Sequence, residues 1–189
     1  NDLGTAGPDY QYGWGLINAT NAASLLRSYK ASAGARQVSE DHVATNRTAV
    51  NISFVWDGAS PIRATLCWTD PAGTSTTTGD SRTARLVNNL DLRVIGPSGT
   101  VYLPWVMPYV GNWATNAYAT AATTGSNYTD NVEQVLVASP GTAGSYTARV
   151  TYAGTLSNGD QPFSLVLSGA ATNAAAAARP LSVSVQRPP

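Results

Sequence analysis

VNISFVWDGASPIRATLCW, residues 50–68, decides the fold class. Val50, Ile52, Phe54 and Trp56 alternate with Asn51, Ser53 and Val55, so four large apolar side chains share one face of an extended chain. DGASP (57–61) then turns the backbone, and Ile62, Ala64, Leu66 and Trp68 repeat the period of two. Two half-buried strands flanking a turn cannot stand alone in water, so the rest of the chain must supply more of them.

It does. Leu86, Leu90, Leu92 and Val94 alternate with Asn89, Asp91 and Arg93, and GPSG (96–99) turns into a short strand at 101–103. Residues 132–138 are mostly apolar and read as a central strand. Tyr146, Ala148, Val150 and Tyr152 alternate with polar neighbours, as do Phe163, Leu165 and Leu167. The pattern predicts a mainly β chain, an antiparallel β-sandwich or jelly roll of about eight strands preceded by one short α-helix. No helical period lies between strands, which excludes a parallel α/β sheet. Two insertions interrupt the strands. Residues 70–83 are small and polar and read as a loop, whereas 104–130 carry Trp105, Tyr109, Trp113, Tyr118 and Tyr128 and read as a packed excursion.

The N-terminus differs. In GPDYQYGWGLINATNAA (7–23), a glycine-aromatic turn leads to Asn18, a good N-cap, and then Ala19, Ala22, Ala23 and Leu26 form a narrow apolar stripe. Gly34 closes the run. A helix of roughly a dozen residues is marginal alone, so the stripe needs a surface to lie against. Three segments follow: 1–32 with the helix, 33–169 with the strands, and an Ala-rich linker and tail at 170–189. LSVSVQ in that tail reads either as an added strand or as the start of a further module.

Eleven Lys and Arg balance eleven Asp and Glu with no basic run, which argues against a nucleic-acid partner. No apolar run is long enough to span a bilayer. Cys67 is the single cysteine, so neither an intramolecular disulfide nor a cysteine zinc site can form, and it is expected to be a buried, inert thiol.

Oxygen-bearing side chains gather at Asp70 and Asp80, at Asn88, Asn89 and Asp91, and at Asp130, Asn131 and Glu133. Calcium takes several oxygen ligands drawn from loops. If the strands bearing LVNNLDL and DNVEQ are neighbours, Asp91, Asp130, Asn131 and Glu133 could converge on one ion. The alternative is that Asp130 and Asn131 cap a turn while Asp91 and Arg93 pair on a wet face.

Three stretches together resemble secreted bacterial subtilisin-like serine proteases that carry a β-sandwich behind the catalytic domain. GPDYQYGWGLINATNAA resembles the closing segment and last helix of such a catalytic domain. RATLCWTDPAG with LVNNLDLRVIGPSGTVYLPWV resembles the first half of the C-terminal domain, and ATTGSNYTDNVEQVLVASPGTAGSYTARV with QPFSLVLSG the second half. The resemblance runs from about residue 7 to residue 169. It implies a secreted protein whose partners are its own catalytic domain and that domain's protein substrate, and it favours calcium. The Gly-Thr-Ser-Met-Ala context of the family's nucleophile is absent, and His42, the only histidine, lacks the family's surroundings. A general base without a positioned nucleophile performs no acyl transfer, so no catalytic residue is expected here. The expected function is that of a non-catalytic accessory domain that stabilises or shapes the catalytic domain. The rival is a carbohydrate- or surface-binding module using the aromatics of 104–128.

Overall fold

The alternating segments build two four-stranded antiparallel sheets in a computed structural model that describes residues 2–31, 37–79, 83–108, 119–139 and 141–169. In chain order the elements are α1 (Ala19–Ala31), β1 (Val38–Ala44), β2 (Ala49–Trp56), β3 (Ile62–Cys67), β4 (Asn89–Ile95) and β5 (Val101–Tyr102). They continue with β6 (Trp105–Val106), β7 (Thr123–Thr124), β8 (Val132–Val137), β9 (Gly144–Ala153) and β10 (Asp160–Ser168). One sheet has the order β1-β10-β3-β8, the other β2-β9-β4-β5, and β6 pairs with β7 apart from both. The chain is a β-sandwich.

The core is the inward half of each alternation. Val50, Ile52, Phe54 and Trp56 of β2 are buried with Ile62, Ala64 and Leu66 of β3, Leu90, Leu92 and Val94 of β4, and Phe163, Leu165 and Leu167 of β10. Burial of each large side chain stabilises by roughly 1.5–3 kcal/mol. Two indole tips inside are satisfied: Trp56 donates to Ser60 O at 2.6 Å, and Trp68 to Asn88 O at 3.1 Å. Trp56 also meets Tyr146 edge-on, with ring centroids 5.4 Å apart.

β1, β6 and β7 were not predicted. VSEDHVA buries only Val43, so β1 lacks an apolar row, and its place is set by pairing with β10 from Val38↔Val166 to Ala44↔Asp160. The two-residue β6 and β7 lie within the aromatic excursion, which is packed over residues 104–108 but largely exposed over 119–130, where Tyr128 stands in solvent; Tyr109, Trp113 and Tyr118 fall outside the described residues. Residues 132–138 read as a central strand, but β8 is a sheet edge with β3 as its one neighbour in the sheet. Its outer residues Val132 and Leu136 are half-buried all the same, which accounts for the apolar run.

Cys67 is exposed, contrary to expectation. Ile62, Ala64 and Leu66 point into the core, so the pleat directs Arg63 and Cys67 outward. Partial desolvation, with help from the Glu40 charge, still pushes its thiol up, away from the reactive thiolate.

α1 begins as predicted: the Asn18 side-chain oxygen accepts the Asn21 N–H at 2.9 Å. No residue of the helix is buried. Gly34, the boundary near residue 33, Asp80 and the tail 170–189 lie outside the described residues. Among the described residues no helix is long and apolar enough to cross a membrane.

Candidate functional site

The oxygen-rich residues meet where β4 and β8 close one edge of the sandwich. β5 pairs only with Val94 and Ile95, which leaves the Leu92 N–H beyond its reach. Glu133, projecting inward from β8, fills the gap: its Oε2 accepts the Leu92 N–H at 2.6 Å. Glu133 is fully buried. Desolvation pushes its carboxyl up to about 8; the Leu92 bond and Arg93 oppose the rise, while Asp91 and Asp130 add to it. Its Oε1 has no hydrogen-bond partner, and neither has the buried Oδ1 of Asn89.

The other predicted ligands are engaged nearby. Asp91 Oδ1 accepts from Arg93 at 3.1 Å, and the same guanidinium reaches Ser126 Oγ at 2.9 Å and Leu92 O at 2.9 Å. Asp130 Oδ2 accepts from the buried Asn127 amide at 2.9 Å, while Asn127 Oδ1 accepts the N–H groups of Thr129 and Asp130, an Asx turn. Asn131 faces elsewhere: its side-chain Nδ2 donates to Trp68 O at 2.9 Å and its backbone carbonyl accepts the Trp68 N–H at 3.2 Å, tying β8 to the end of β3. Asp91, Asp130 and Glu133 thus share an electrostatic neighbourhood, and Asn131 serves the backbone. Among the described residues, no three His, Cys, Asp or Glu side chains are grouped as a metal site.

Asp70 and Asn88 have structural duties. The Asp70 carboxylate accepts the Val87 and Asn88 N–H groups at 2.7 and 2.8 Å, clamping the base of the polar loop. Buried Asn88 then donates to Gln161 Oε1 at 2.8 Å and accepts the Ser157 N–H at 2.6 Å, and Gln161 donates to Thr69 O at 3.1 Å. These bonds join both sheets at one end. The Asp91–Arg93 pair is the one the sequence offered as the alternative to a metal site; sequence reading missed Asn127 and Gln161 as members of these networks. Only the N-Y-T-D run carried a signal, since Asn and Asp mark Asx turns.

A second feature is the seat of the N-terminal turn. Asp9 is buried and accepts the Gln11 and Tyr12 N–H groups at 2.9 and 2.7 Å; the Tyr12 bond leads in holding its carboxyl below the usual range. The Tyr10 hydroxyl donates to Pro108 O at 2.9 Å, and burial, with the Asp130 charge, pushes that phenol up. Gly7 lies against Trp105: a Cβ there would sit 2.8 Å from the indole, and φ is +80°. Tyr12, Trp14, Leu16, Ile17 and Leu26 remain exposed beyond this seat.

His42 is half-exposed on β1, with Nδ1 3.7 Å from Asp41 and Nε2 3.8 Å from Asp160. Asp41 is held instead by a two-pronged pairing with Arg47. Beside Cys67 an open groove of about 320 Å³ is lined by Glu40, Cys67, Trp68, Thr69, Pro162, Phe163 and Ser164. Its carboxylate already accepts from Ser164 Oγ at 2.8 Å.

No protein-family model matches the chain, and no curated protein matches it.

Proposed function

We propose that the chain is a non-catalytic accessory region of a secreted subtilisin-like serine endopeptidase. In this reading residues 2–31 belong with the catalytic domain and the sandwich is the accessory domain that holds them. The observation that carries it is the division within the N-terminal segment. One side is fastened to the sandwich through Tyr10, Pro108, Gly7 and Trp105, while Leu16, Ile17 and Leu26 stand in solvent, Ile17 at 90% exposure. An apolar surface of this kind marks an interaction site. The sandwich would then stabilise or orient the catalytic domain. The test is to express the chain alone and fused behind a subtilisin-like catalytic domain of the resembled family. The isolated chain is expected to leave casein uncut and a fluorophosphonate probe unbound, and in the fusion Leu16, Ile17 and Leu26 should become protected from solvent labelling. Labelling of a serine in the isolated chain, or no protection in the fusion, would refute the assignment.

Calcium is the proposed cofactor. Glu133 Oε1 is a buried oxygen without a donor, the ligand type that calcium takes, in the electrostatic neighbourhood of the Asp91 and Asp130 carboxylates. Asp91, Asp130 and Glu133 would have to draw together to hold the ion, since among the described residues no three such side chains are grouped as a metal site; the ion would supply positive charge where burial otherwise keeps Glu133 protonated. For affinity on the order of 10⁻⁴–10⁻³ M, calcium at about ten times that constant adds roughly 1.4 kcal/mol of stability. Equal melting midpoints in calcium and in chelator would exclude it. Sugar binding has less support, because Trp105 is half-buried under Gly7 rather than open for stacking.

A further inference from the structure

The strands that end the two sheets are closed in different ways. β1 carries Glu40, Asp41 and His42; β8 is met by β4 through the Glu133–Leu92 bond; β5 is two residues long. Charge, cover and shortness are the usual protections of a sheet edge. Among the described residues β2 has none of them. AVNISFVW is eight residues long, carries no charge or proline, and keeps an unbroken register against β9 from Ala49↔Thr151 to Trp56↔Gly144.

The groups that β2 presents follow from its neighbours. Gly96 donates to Thr100 O on the β5 side, and the Leu92 N–H goes to Glu133, so even-numbered residues of β4 direct their backbone groups away from β9. Odd-numbered Asp91, Arg93 and Ile95 therefore bond Thr151, Arg149 and Thr147. Along a strand these directions alternate, so Tyr146, Ala148 and Val150 bond Phe54, Ile52 and Val50 on the other side. Ala49, Asn51, Ser53 and Val55 are left with N–H and C=O pointing outward.

We propose that this edge pairs antiparallel with β2 of a second copy, about a two-fold axis at Ser53. Ser53 then faces the partner's Ser53, and Asn51 and Val55 face the partner's Val55 and Asn51, so every outward group of the three finds its complement. On the core side Ile52 comes opposite the partner's Phe54 and Val50 opposite the partner's Trp56, which carries both apolar rows across the axis. Neither strand carries a charge. A second copy is the favoured occupant because the pattern is its own complement in this register, as a two-fold contact requires. The contact is small, so the dimer is weak and concentration-dependent.

Sedimentation equilibrium of the 189-residue chain tests this with Ser53→Lys and Ser53→Asp. Ser53 is exposed, so the melting midpoint should hold in both. Wild type should show a reversible monomer–dimer equilibrium. Either variant alone sets like charges across the axis and should weaken it about a hundredfold or more. Mixing the two variants should restore a dimer. A chain that stays monomeric at millimolar concentration overturns the proposal. So does a dimer that both variants retain, or one lost on Leu26→Glu but kept in Ser53→Lys, since the helix would then be the contact.

Discussion

The sandwich and the N-terminal segment use the same residue types to opposite ends. Trp56 is 1% exposed and Trp14 45%; Tyr146 is 1% exposed and Tyr12 51%; Leu92 is wholly buried and Leu26 58% exposed. In the sandwich each apolar row faces a second sheet. In residues 2–31 the helix stripe meets no such opposing face among the described residues, and the turn keeps its shape through polar devices: the Asp9 carboxylate, the Asn18 cap and the Tyr10–Pro108 bond. Apolar area left in water forfeits about 25 cal/mol per Å². Residue type alone therefore says little about stability here; what matters is whether a partner surface lies opposite.

Substitution in each region should break or sharpen that contrast. The largest effect belongs to Trp56→Ala, which removes the indole wedged against Tyr146 and should cost about 3–5 kcal/mol, read as a lower denaturant midpoint. Leu26→Ala should stay within about 0.5 kcal/mol, and a larger loss would mean that the helix is covered after all. Asn88→Ala comes next, because it strands Gln161 Oε1 and the Ser157 N–H in a buried setting. A cost of about 1–3 kcal/mol is expected, with no change at the N-terminal turn in hydrogen exchange.

Glu133 gives the pH arm of the comparison. Its folded pKa of about 8 exceeds the ordinary 4.5, so the folded chain keeps a proton that the unfolded chain has released. The stability linked to that proton is complete below pH 4.5 and is lost as pH rises toward 8. In chelator the slope should reach at most about 1.4 kcal/mol per pH unit, and Glu133→Gln should flatten it. Asp9 and Asp41, depressed below 3.8, act in the opposite sense: their contribution holds above that value and is lost as pH falls through their folded pKa values. Tyr10→Phe acts locally. It removes one hydrogen bond worth about 0.5–1.5 kcal/mol, so amide protection should fall over residues 2–15 while the global midpoint holds.

Legibility follows the same divide. β2, β3, β9 and β10 could be read directly because one face of each is apolar and the other polar. β1 could not: its position depends on backbone pairing with β10, 128 residues away at Val38↔Val166, and backbone bonds leave no side-chain pattern. The acidic residues were legible as a group, since β4 and β8 do approach each other. The Asp91–Arg93 pair was legible too, as two residues on one strand face; the turn of Asn131 toward Trp68 was not, because only the folded chain creates that contact. Cys67 was misread as buried although the alternation of Ile62, Ala64 and Leu66 already set it on the other face.

The strand order also governs when this chain can fold. Every neighbour pair in the β1-β10-β3-β8 sheet joins strands that are not consecutive, and β10 sits between β1 and β3. Until residues 160–168 have been made, β1 has no strand to pair with and β3 has only β8. Contacts of such long sequence separation place the chain among slow folders, in the millisecond-to-second range. Synthesis therefore runs nearly to the end of the sandwich before its first sheet can close, and the open edges of β2 and β3 stay exposed to other nascent chains throughout that interval.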